Sequence, residues 1–242
     1  MIVGIHQPAY LPWLGYFDRI ARVDVFIYLD TVQFQKGSFQ NRNKVLCGDK
    51  SIWLTVPVQT AGKLYTNVLK DVGIDASQDW QSRHIAALQQ GYRKAPLFGD
   101  IMDRLEPFYS RSWTHLSELC WEMLLSFNDL LGVKTRIVKA SDLGDVEGRK
   151  SDLVLNLCRA VGVNHYLSGS QGRDYLDLAS FAEAGISVEF QKFTPEPYPQ
   201  QSPSFVAALG CVDYLFNVDS PERLFQPAGV PGMSGTACDR GV

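Results

Sequence analysis

Two apolar segments near the N-terminus each end in a side chain that can move a proton. Residues 1–5 run directly into His6, and residues 25–29 are closed by Asp30. A histidine, with a reference pKa of about 6.5, suits proton transfer near neutrality, and a carboxylate can orient an imidazole or accept a proton from an amine. We predict that His6 and Asp30 are catalytic. The alternative for His6 is a buried imidazole that pins its loop, and the alternative for Asp30 is a helix or turn cap.

The segment that follows His6, residues 7–17, holds two prolines, two tyrosines and a tryptophan. Neither a strand period of two nor a helix period of 3.6 explains this mixture, so we predict a loop that leads into a short helix. Ligands of α/β sheets bind where strand ends meet helix starts, which makes this loop the first candidate for a site. Tyr10, Trp13 and Tyr16 could stack on a base or a sugar ring, or could belong to the core.

Residues 31–44 are polar and aromatic, with three glutamines, two asparagines, two lysines and an arginine. One interpretation is an antiparallel hairpin with Lys36, Gly37 and Ser38 at its tip. Another is a binding loop whose amides and cations face a polar ligand. In that case Lys36 and Arg42 would hold a phosphate, Arg42 more firmly because its planar fork binds oxygens in pairs. Both cations could instead be solvated surface charges.

A second unusual segment, residues 168–175, contains two glycines, two serines and Arg173. Its glycines would let the backbone approach a ligand, and its hydroxyls and Arg173 could hold an anion. A plain turn before a helix would also explain the glycines. Neither the phosphate-binding pattern G-x-x-x-x-G-K-[ST] nor the dinucleotide fingerprint G-x-G-x-x-G occurs, so no motif identifies a cofactor.

The order of elements predicts an α/β fold with a Rossmann-like, mostly parallel sheet, a helical insertion at about residues 77–131 and an antiparallel hairpin near residues 31–58. We expect residues 1–225 to form a single α/β domain and residues 226–242 to be an extended or disordered tail. Predicted strands cover residues 1–5, 25–29, 51–58, 66–74, 134–140, 164–168 and 186–193. Predicted helices start at caps Ser77 and Ser112, the latter ending at Gly132, and cover residues 100–109, 151–161, 175–183 and about 204–216.

The 242 residues carry a formal net charge of −3, with 45% hydrophobic and 20% charged side chains. This composition suffices for a core and gives no overall field for nucleic acid or an anionic membrane, so we predict neither partner. No stretch reaches the roughly 18 to 20 apolar residues of a membrane span, and no leader is recognisable, so we expect a cytoplasmic protein. Five cysteines without CxxC spacing favour reduced thiols, and no metal site is predicted.

Several groups of residues occur together in an order that characterises one family. The N-terminal groups are His6-Gln7-Pro8, residues 10–17, Leu29-Asp30, residues 32–34 and residues 38–43. The later groups are residues 166–169, residues 172–176, Phe181, Tyr198-Pro199-Gln200 and residues 213–217. Taken together, they resemble the WbqC-like protein family over about residues 1–225, with a departure at residues 205–212.

The resemblance implies a bacterial or archaeal protein whose relatives are often encoded among genes for surface polysaccharide or modified-sugar synthesis. It implies a context and names no reaction. A weaker likeness concerns nucleotidyltransferases and ligases of the HIGH type, in which a His-x-Gly-His motif follows the first strand. Residues 13–16 match that frame, but both histidines are absent, and Tyr16 could donate only one hydrogen bond to a phosphate.

Three functions remain open. The first is a transferase that modifies a nucleotide-linked amino sugar by moving an acyl or aminoacyl group onto an amine, with a phosphate-containing sugar as its small-molecule substrate. The second is a nucleotidyltransferase or adenylating ligase that uses ATP and magnesium. The third is a non-catalytic binding factor of a polysaccharide pathway. The predicted substrate contacts are Gln7, Tyr10, Trp13, Tyr16, Gln33, Lys36, Asn41, Arg42, Ser168, Gly169, Arg173, Tyr175, Tyr198 and Gln200.

Overall fold

The computed structural model of the chain describes residues 1–48, 50–59 and 68–225. Its strands are β1 (Ile2–His6), β2 (Val25–Tyr28), β3 (Arg42–Cys47), β4 (Lys50–Thr55), β5 (Arg136–Lys139), β6 (His165–Ser168) and β7 (Ser187–Phe190). Its α-helices are α1 (Leu14–Ala21), α2 (Trp80–Tyr92), α3 (Phe98–Ser110), α4 (Leu116–Leu130), α5 (Ser151–Ala160), α6 (Leu178–Glu183) and α7 (Cys211–Asn217). Short 3-10 helices cover Leu69–Asp71, Ala140–Leu143, Ser170–Asp174 and Pro221–Arg223.

Five parallel strands form the main sheet in the order β5-β2-β1-β6-β7. Both faces of this sheet are apolar, as expected for strands buried between helices. One face, which includes Phe26 and Tyr28, packs against α1 and α4, and α2 and α3 belong to the same core. The opposite face, which includes Val3, Ile5 and Ile27, packs against α5 and α6. The predicted Rossmann-like α/β fold is therefore confirmed.

The helices follow from the spacing of their apolar side chains. In α1, Leu14, Phe17 and Ile20 recur at three-residue intervals and are buried, which places them on one face of a helix. In the longest helix, α4, the regular pattern ends at Leu130, and Gly132 follows with a φ of +66°. A glycine in this conformation closes a helix without steric cost, so the predicted stop at Gly132 is confirmed.

The helical insertion predicted at residues 77–131 is present as α2, α3 and α4. The first of these helices is capped differently from the prediction. Asp79 precedes α2, and its carboxylate accepts a hydrogen bond from the Ser82 backbone N–H. The predicted cap Ser77 instead donates its hydroxyl proton to Asp75 at 2.6 Å within a turn. The carboxylate of Asp79, and not the hydroxyl of Ser77, therefore caps α2.

An antiparallel hairpin of β3 and β4 lies within the predicted range of residues 31–58. Its turn comes after β3, where Gly48 has a φ of +63°, and the alternative tip at Lys36, Gly37 and Ser38 is wrong. Gly37 also has a positive φ, of +82°, but it bends a loop. Either glycine can adopt this conformation, so composition alone did not choose between them.

Two further predicted elements differ in the structure. The last helix is only Cys211–Asn217, because Ala208 has a φ of +57° and the backbone before Cys211 is not helical. From Val68 onward the predicted strand at residues 66–74 is a 3-10 helix with isolated bridges at Val68 and Ile74. Its first two residues lie outside the described residues, as does the tail predicted for residues 226–242.

Candidate functional site

The strand order of the main sheet reverses between β1 and β6. After β1 the chain passes through α1 on one face and joins β2, and after β6 it passes through α6 on the opposite face and joins β7. A crevice opens at the carboxyl ends of two such strands, and ligands of open α/β sheets bind there. His6 and Gln7 lie at the end of β1, and Ser168 and Gly169 lie at the end of β6. We call this place the switch-point crevice; it brings together the starts of the two segments at residues 7–17 and 168–175.

Arg19, from α1, supplies a positive charge beside the switch-point crevice. It is 6% exposed, and its Nε and Nη2 donate to Oε1 of Gln191 at 3.0 and 2.8 Å. Its Nη1 lies 3.4 Å from the carbonyl oxygen of Ile5. Burial lowers the pKa of Arg19, and no described carboxylate forms an ion pair with it. A buried cation with only uncharged acceptors favours the binding of an anion.

Gly169 allows the backbone of the β6 end to approach the guanidinium closely. A Cβ at this position would lie 2.6 Å from Nη2 of Arg19. Gln191 holds the arginine from the other side, since its Nε2 donates to the Gly15 carbonyl at 2.8 Å and to the Asp18 carboxylate at 2.6 Å. The amide oxygen of Gln191 is thereby turned toward Arg19. The position of the charge is fixed by a glycine and a glutamine.

His6 presents a neutral imidazole at the same strand end. Its Nδ1 lies 2.8 Å from the carbonyl oxygen of Gln7, so this nitrogen carries the hydrogen and donates it. Burial, and then the charge of Arg19, lower the pKa of His6 to about 4, against the opposing effect of the Gln7 hydrogen bond. Nε2 therefore keeps its lone pair at neutral pH, and none of the described residues hydrogen-bonds it. This nitrogen can accept a proton.

Asp30 follows the carboxyl end of β2, and β2 is paired with β1, the strand that ends in His6. It is 2% exposed, and both of its oxygens contact Ser141: Oδ1 accepts from the backbone N–H at 3.0 Å and Oδ2 accepts from the hydroxyl at 2.7 Å. Asp30 thus caps the turn after β5, which was the alternative interpretation. A catalytic role for Asp30 stays a prediction that would require it to release Ser141.

The three aromatic residues of the first loop occupy different environments. Tyr10 is fully buried, and its hydroxyl lies 2.8 Å from Nδ1 of His84 and 2.6 Å from the hydroxyl of Tyr109. Tyr16 is 2% exposed and donates its hydroxyl proton to the Gln7 carbonyl at 3.2 Å. Trp13 is partly buried, with its ring edge toward another aromatic ring at 5.6 Å. Tyr10 and Tyr16 belong to the core, and Trp13 keeps some exposed surface.

A second concave region lies between the loop before β3, the hairpin and α2. We call it the hairpin cleft; its volume is about 660 Å³. The predicted contacts Lys36, Asn41 and Arg42 line it, whereas the exposed Gln33 does not. The side chain of Asn41 is already engaged, because its Nδ2 donates to the Val56 carbonyl at 2.8 Å. The cations are therefore the predicted residues best placed to face a ligand here.

Gln7 connects the switch-point crevice to the wall of the hairpin cleft. Its Oε1 accepts a hydrogen bond from Nε2 of Gln40 at 2.6 Å. Next to this contact, the backbone N–H of Tyr10 donates to the carbonyl of Phe39 at 3.1 Å. The loop before β3 is thus bonded to the loop after β1 at two points.

The remaining residues of the second predicted segment lie away from the hairpin cleft, since none of residues 168–175 lines it. Ser168 is 1% exposed and donates to the Gly169 carbonyl at 3.1 Å. Arg173 is exposed, with its guanidinium 4.3 Å from the ring of Phe190. Tyr175 is 43% exposed. The structure therefore does not place Arg173 together with Lys36 and Arg42.

Tyr198 and Gln200 both contact a buried carboxylate. The Tyr198 hydroxyl and Nε2 of Gln200 donate to Oδ2 of Asp213 at 2.8 and 2.7 Å, and the Tyr92 hydroxyl donates to Oδ1 at 2.9 Å. Burial raises the pKa of Asp213. These bonds tie the proline-rich segment to α2 and α7, and neither Tyr198 nor Gln200 lines the hairpin cleft. Their role as substrate contacts stays a prediction.

Three residues of these sites carried no distinctive signal in the sequence: Arg19, Gln191 and His84. Arg19 occurs in an amphipathic helix, where an arginine is ordinarily a surface residue. Its position between the apolar Phe17 and Ile20 was the one sequence feature that could have indicated its burial. The contact of His84 with Tyr10 depends on two segments that are 74 residues apart.

None of the helices in the described part of the chain is long and apolar enough to cross a membrane. No solved structure matches the chain. A curated relative, the uncharacterized protein Rv1507c of Mycobacterium tuberculosis, is 35% identical over 226 residues, which cover 92% of this chain and 96% of the relative. The sequence profile of the WbqC-like protein family matches residues 7–224. The chain belongs to the WbqC-like protein family.

Proposed function

We propose that this protein is a transferase that modifies a phosphate-bearing sugar, most specifically a nucleotide-linked amino sugar to whose amine it transfers an acyl or aminoacyl group. Surface polysaccharide or modified-sugar synthesis is the corresponding context. One observation carries the proposal: the switch-point crevice pairs a buried arginine that lacks a described carboxylate partner with a neutral histidine whose Nε2 is unbonded by the described residues.

In this proposal a phosphate oxygen of the substrate binds beside Arg19. The guanidinium is held by uncharged acceptors, so an incoming anion meets no carboxylate that it must displace. Hydrogen bonds between a guanidinium and a phosphate are charge-assisted and about twice as strong as those between neutral groups. The anion would also balance a charge that burial makes costly.

His6 acts as the general base. As the amine nitrogen of the sugar bonds to the acyl carbon and the donor's leaving group departs, Nε2 takes the proton that the nitrogen loses. A base with a pKa of about 4 is weak, and the positive charge of Arg19 contributes to that low value. A phosphate bound beside Arg19 offsets this charge, so substrate binding raises the pKa of His6 toward its ordinary value of about 6.5.

The test measures anion binding and proton affinity separately. Isothermal titration calorimetry with pyrophosphate and with UDP-N-acetylglucosamine would compare the wild type with Arg19→Lys and Gly169→Ala. We expect at least tenfold weaker binding in both variants, because lysine lacks the planar fork and a Cβ at residue 169 displaces the guanidinium. NMR titration of the His6 ring should give a higher pKa with pyrophosphate bound than without it.

Arg22→Gln is the matched control. Arg22 follows the same helix, and its guanidinium is exposed and paired with Glu189 at 2.5 Å. This variant should bind both ligands as the wild type does. Equal binding by wild type and Gly169→Ala would contradict the anion site. If a donor such as an acyl-CoA supports transfer to an amino sugar, His6→Asn should reduce the rate at least a hundredfold, and an unchanged rate would remove His6 from the mechanism.

A further inference from the structure

We propose that the hairpin cleft is a second ligand-binding site, and that it takes a nucleoside phosphate. This inference goes beyond the proposed function and does not depend on it, because the residues that line the cleft are separate from those of the switch-point crevice. Three properties of the described residues support it: an excess of positive charge, an exposed aromatic pair, and a volume that suits a nucleotide.

The charge of the hairpin cleft is positive. Lys36, Arg42 and Arg83 line it, against the single carboxylate of Asp75, so three positive charges and one negative charge leave a balance of two positive charges. Asp75 accepts hydrogen bonds from the backbone and hydroxyl of Ser77 at 3.1 and 2.6 Å and one from a glutamine amide at 3.0 Å. None of the three cations forms an ion pair with a described carboxylate. A concave surface with unpaired cations attracts anions.

Two aromatic side chains beside the cleft are largely exposed. Trp53 lines the cleft and is 42% exposed, and Phe39 is 54% exposed. Their ring centroids are 5.7 Å apart, at an interplanar angle of 44°. Arg42 lies 4.4 Å from the centre of the Trp53 ring. Exposed aromatic rings next to cations bind planar bases by stacking, which contributes about 1–3 kcal/mol per base in proteins that bind single-stranded nucleic acid.

Arg42 is incompletely hydrogen-bonded. Its Nη2 donates to the Gly37 carbonyl, and its buried Nε has no partner among the described residues. Turning the guanidinium onto a phosphate would give up the contacts with Gly37 and with the Trp53 ring and could gain two charge-assisted hydrogen bonds. The unpartnered Nε is a donor that a ligand oxygen could accept from.

The size of the cleft distinguishes a nucleotide from an isolated phosphate. Its volume of about 660 Å³ falls within the range of about 300–1,000 Å³ that is usual for small-molecule sites. The buried His84 lies at its inner side, with Nδ1 bonded to the Tyr10 hydroxyl, which is bonded in turn to the hydroxyl of Tyr109. This inner wall is held in place before any ligand arrives, which lowers the entropy cost of binding.

Calorimetry with UMP and AMP tests the proposal, with uridine and inorganic phosphate as separate probes. We expect UMP or AMP to bind at least tenfold more tightly than either fragment, because base and phosphate are held by different residues. Arg42→Gln and Trp53→Leu should each weaken nucleotide binding about tenfold. Both positions carry exposed surface, and unchanged thermal unfolding would establish that the variants are folded.

Lys50→Gln is the matched control. It removes the same charge as Arg42→Gln from the same hairpin, and Lys50 does not line the cleft. It should leave UMP binding unchanged. Wild-type affinity in both Arg42→Gln and Trp53→Leu would overturn the proposal. So would an oligouridylate that binds at least tenfold more tightly than UMP, since that result would indicate a nucleic-acid surface.

The crevice variants separate this inference from the proposed function. If Gly169→Ala loses UMP binding while Arg42→Gln retains it, the nucleotide binds in the switch-point crevice, and the inference fails while the proposed function stands. If the hairpin variants lose UMP and Gly169→Ala binds pyrophosphate as the wild type does, the proposed function fails and the inference stands. Loss of pyrophosphate in Gly169→Ala together with loss of UMP in the hairpin variants supports both.

Discussion

The switch-point crevice and the hairpin cleft each place a neutral histidine near cationic side chains, but the two histidines are bonded differently. His84, beside the cleft, is 4% exposed, and its Nδ1 is bonded to the Tyr10 hydroxyl, which is itself bonded to Tyr109. His6, in the crevice, is partly exposed, and its Nδ1 is bonded to the carbonyl of the next residue. A buried imidazole within a network of side chains supports a wall, whereas a partly exposed imidazole with an unbonded nitrogen can take up a proton. This difference fits the proposed roles, which are catalysis for the crevice and ligand binding for the cleft.

The cleft and the crevice also differ in the elements that form them. The cleft has a volume of about 660 Å³, and its outer wall is a two-stranded hairpin outside the main sheet. The crevice lies at the point where the order of the main sheet reverses, and Arg19, His6 and Gly169 converge there from α1, β1 and the end of β6. Convergence of several elements holds side chains more exactly in place than a single hairpin can.

The largest predicted effect is a loss of stability in mild acid. His6 and His84 have a pKa of about 4 in the fold, against about 6.5 in the unfolded chain. As the pH falls, the unfolded chain binds protons first, so stability is complete above about pH 6.5 and is lost between about pH 6.5 and 4. Each histidine should contribute a loss of about 3 kcal/mol, measured by urea unfolding at several pH values.

Ligand binding should distinguish the contributions of His6 and His84 to the loss of stability in acid. Pyrophosphate in the crevice should reduce the part of the stability loss that comes from His6 and leave the part from His84 unchanged. His84→Gln should remove only the part from His84. A free energy of unfolding that is constant from pH 6.5 to 4 would contradict the assignment of both imidazoles as neutral.

A smaller effect is expected where α2 meets the hairpin. A Cβ added at Gly91 would lie 2.1 Å from the backbone oxygen of Leu46, so Gly91→Ala should force α2 away from β3 and cost about 2–3 kcal/mol. Gly99→Ala is the control, because nothing lies within 4 Å of its added Cβ and alanine favours a helix by about 1 kcal/mol. Thermal unfolding would measure both, and Gly91→Ala should also weaken UMP binding without changing pyrophosphate binding.

The smallest effect compares Tyr16, a core residue bonded to the loop after β1, with Phe39, an exposed residue beside the cleft. Tyr16→Phe removes the hydrogen bond to the Gln7 carbonyl and should cost about 1 kcal/mol. Phe39→Ser removes a ring that is 54% exposed and should change stability by less than about 0.5 kcal/mol. Equal losses would mean that Phe39 has a structural role, and its place in a ligand site would then be unsupported.

The sequence predicted those parts of the site that depend on local pattern. His6, Ser168 and Gly169 end apolar runs, and parallel strands place their carboxyl ends at one edge of a sheet. Arg19 could not be predicted in the same way, because the glutamine that bonds it is 172 residues away in the chain. The antiparallel hairpin was predicted correctly, but the position of its turn was ambiguous, because Gly37 and Gly48 can both adopt the positive φ that a turn requires. Local patterns thus identified the strands and helices, whereas the contacts between distant residues became visible only in the tertiary structure.

The pairing of the first strand with a strand 163 residues further along the chain also affects biosynthesis. β1 and α1 leave the ribosome well before β6 and Gln191, so β1 cannot pair with β6, nor Arg19 with Gln191, until the later segments are synthesised. Contacts over such long chain separations slow folding and leave an incomplete sheet exposed meanwhile. A nascent chain that ends before Gln191 has no organised crevice. The proposed anion site therefore forms only after Gln191 has been synthesised.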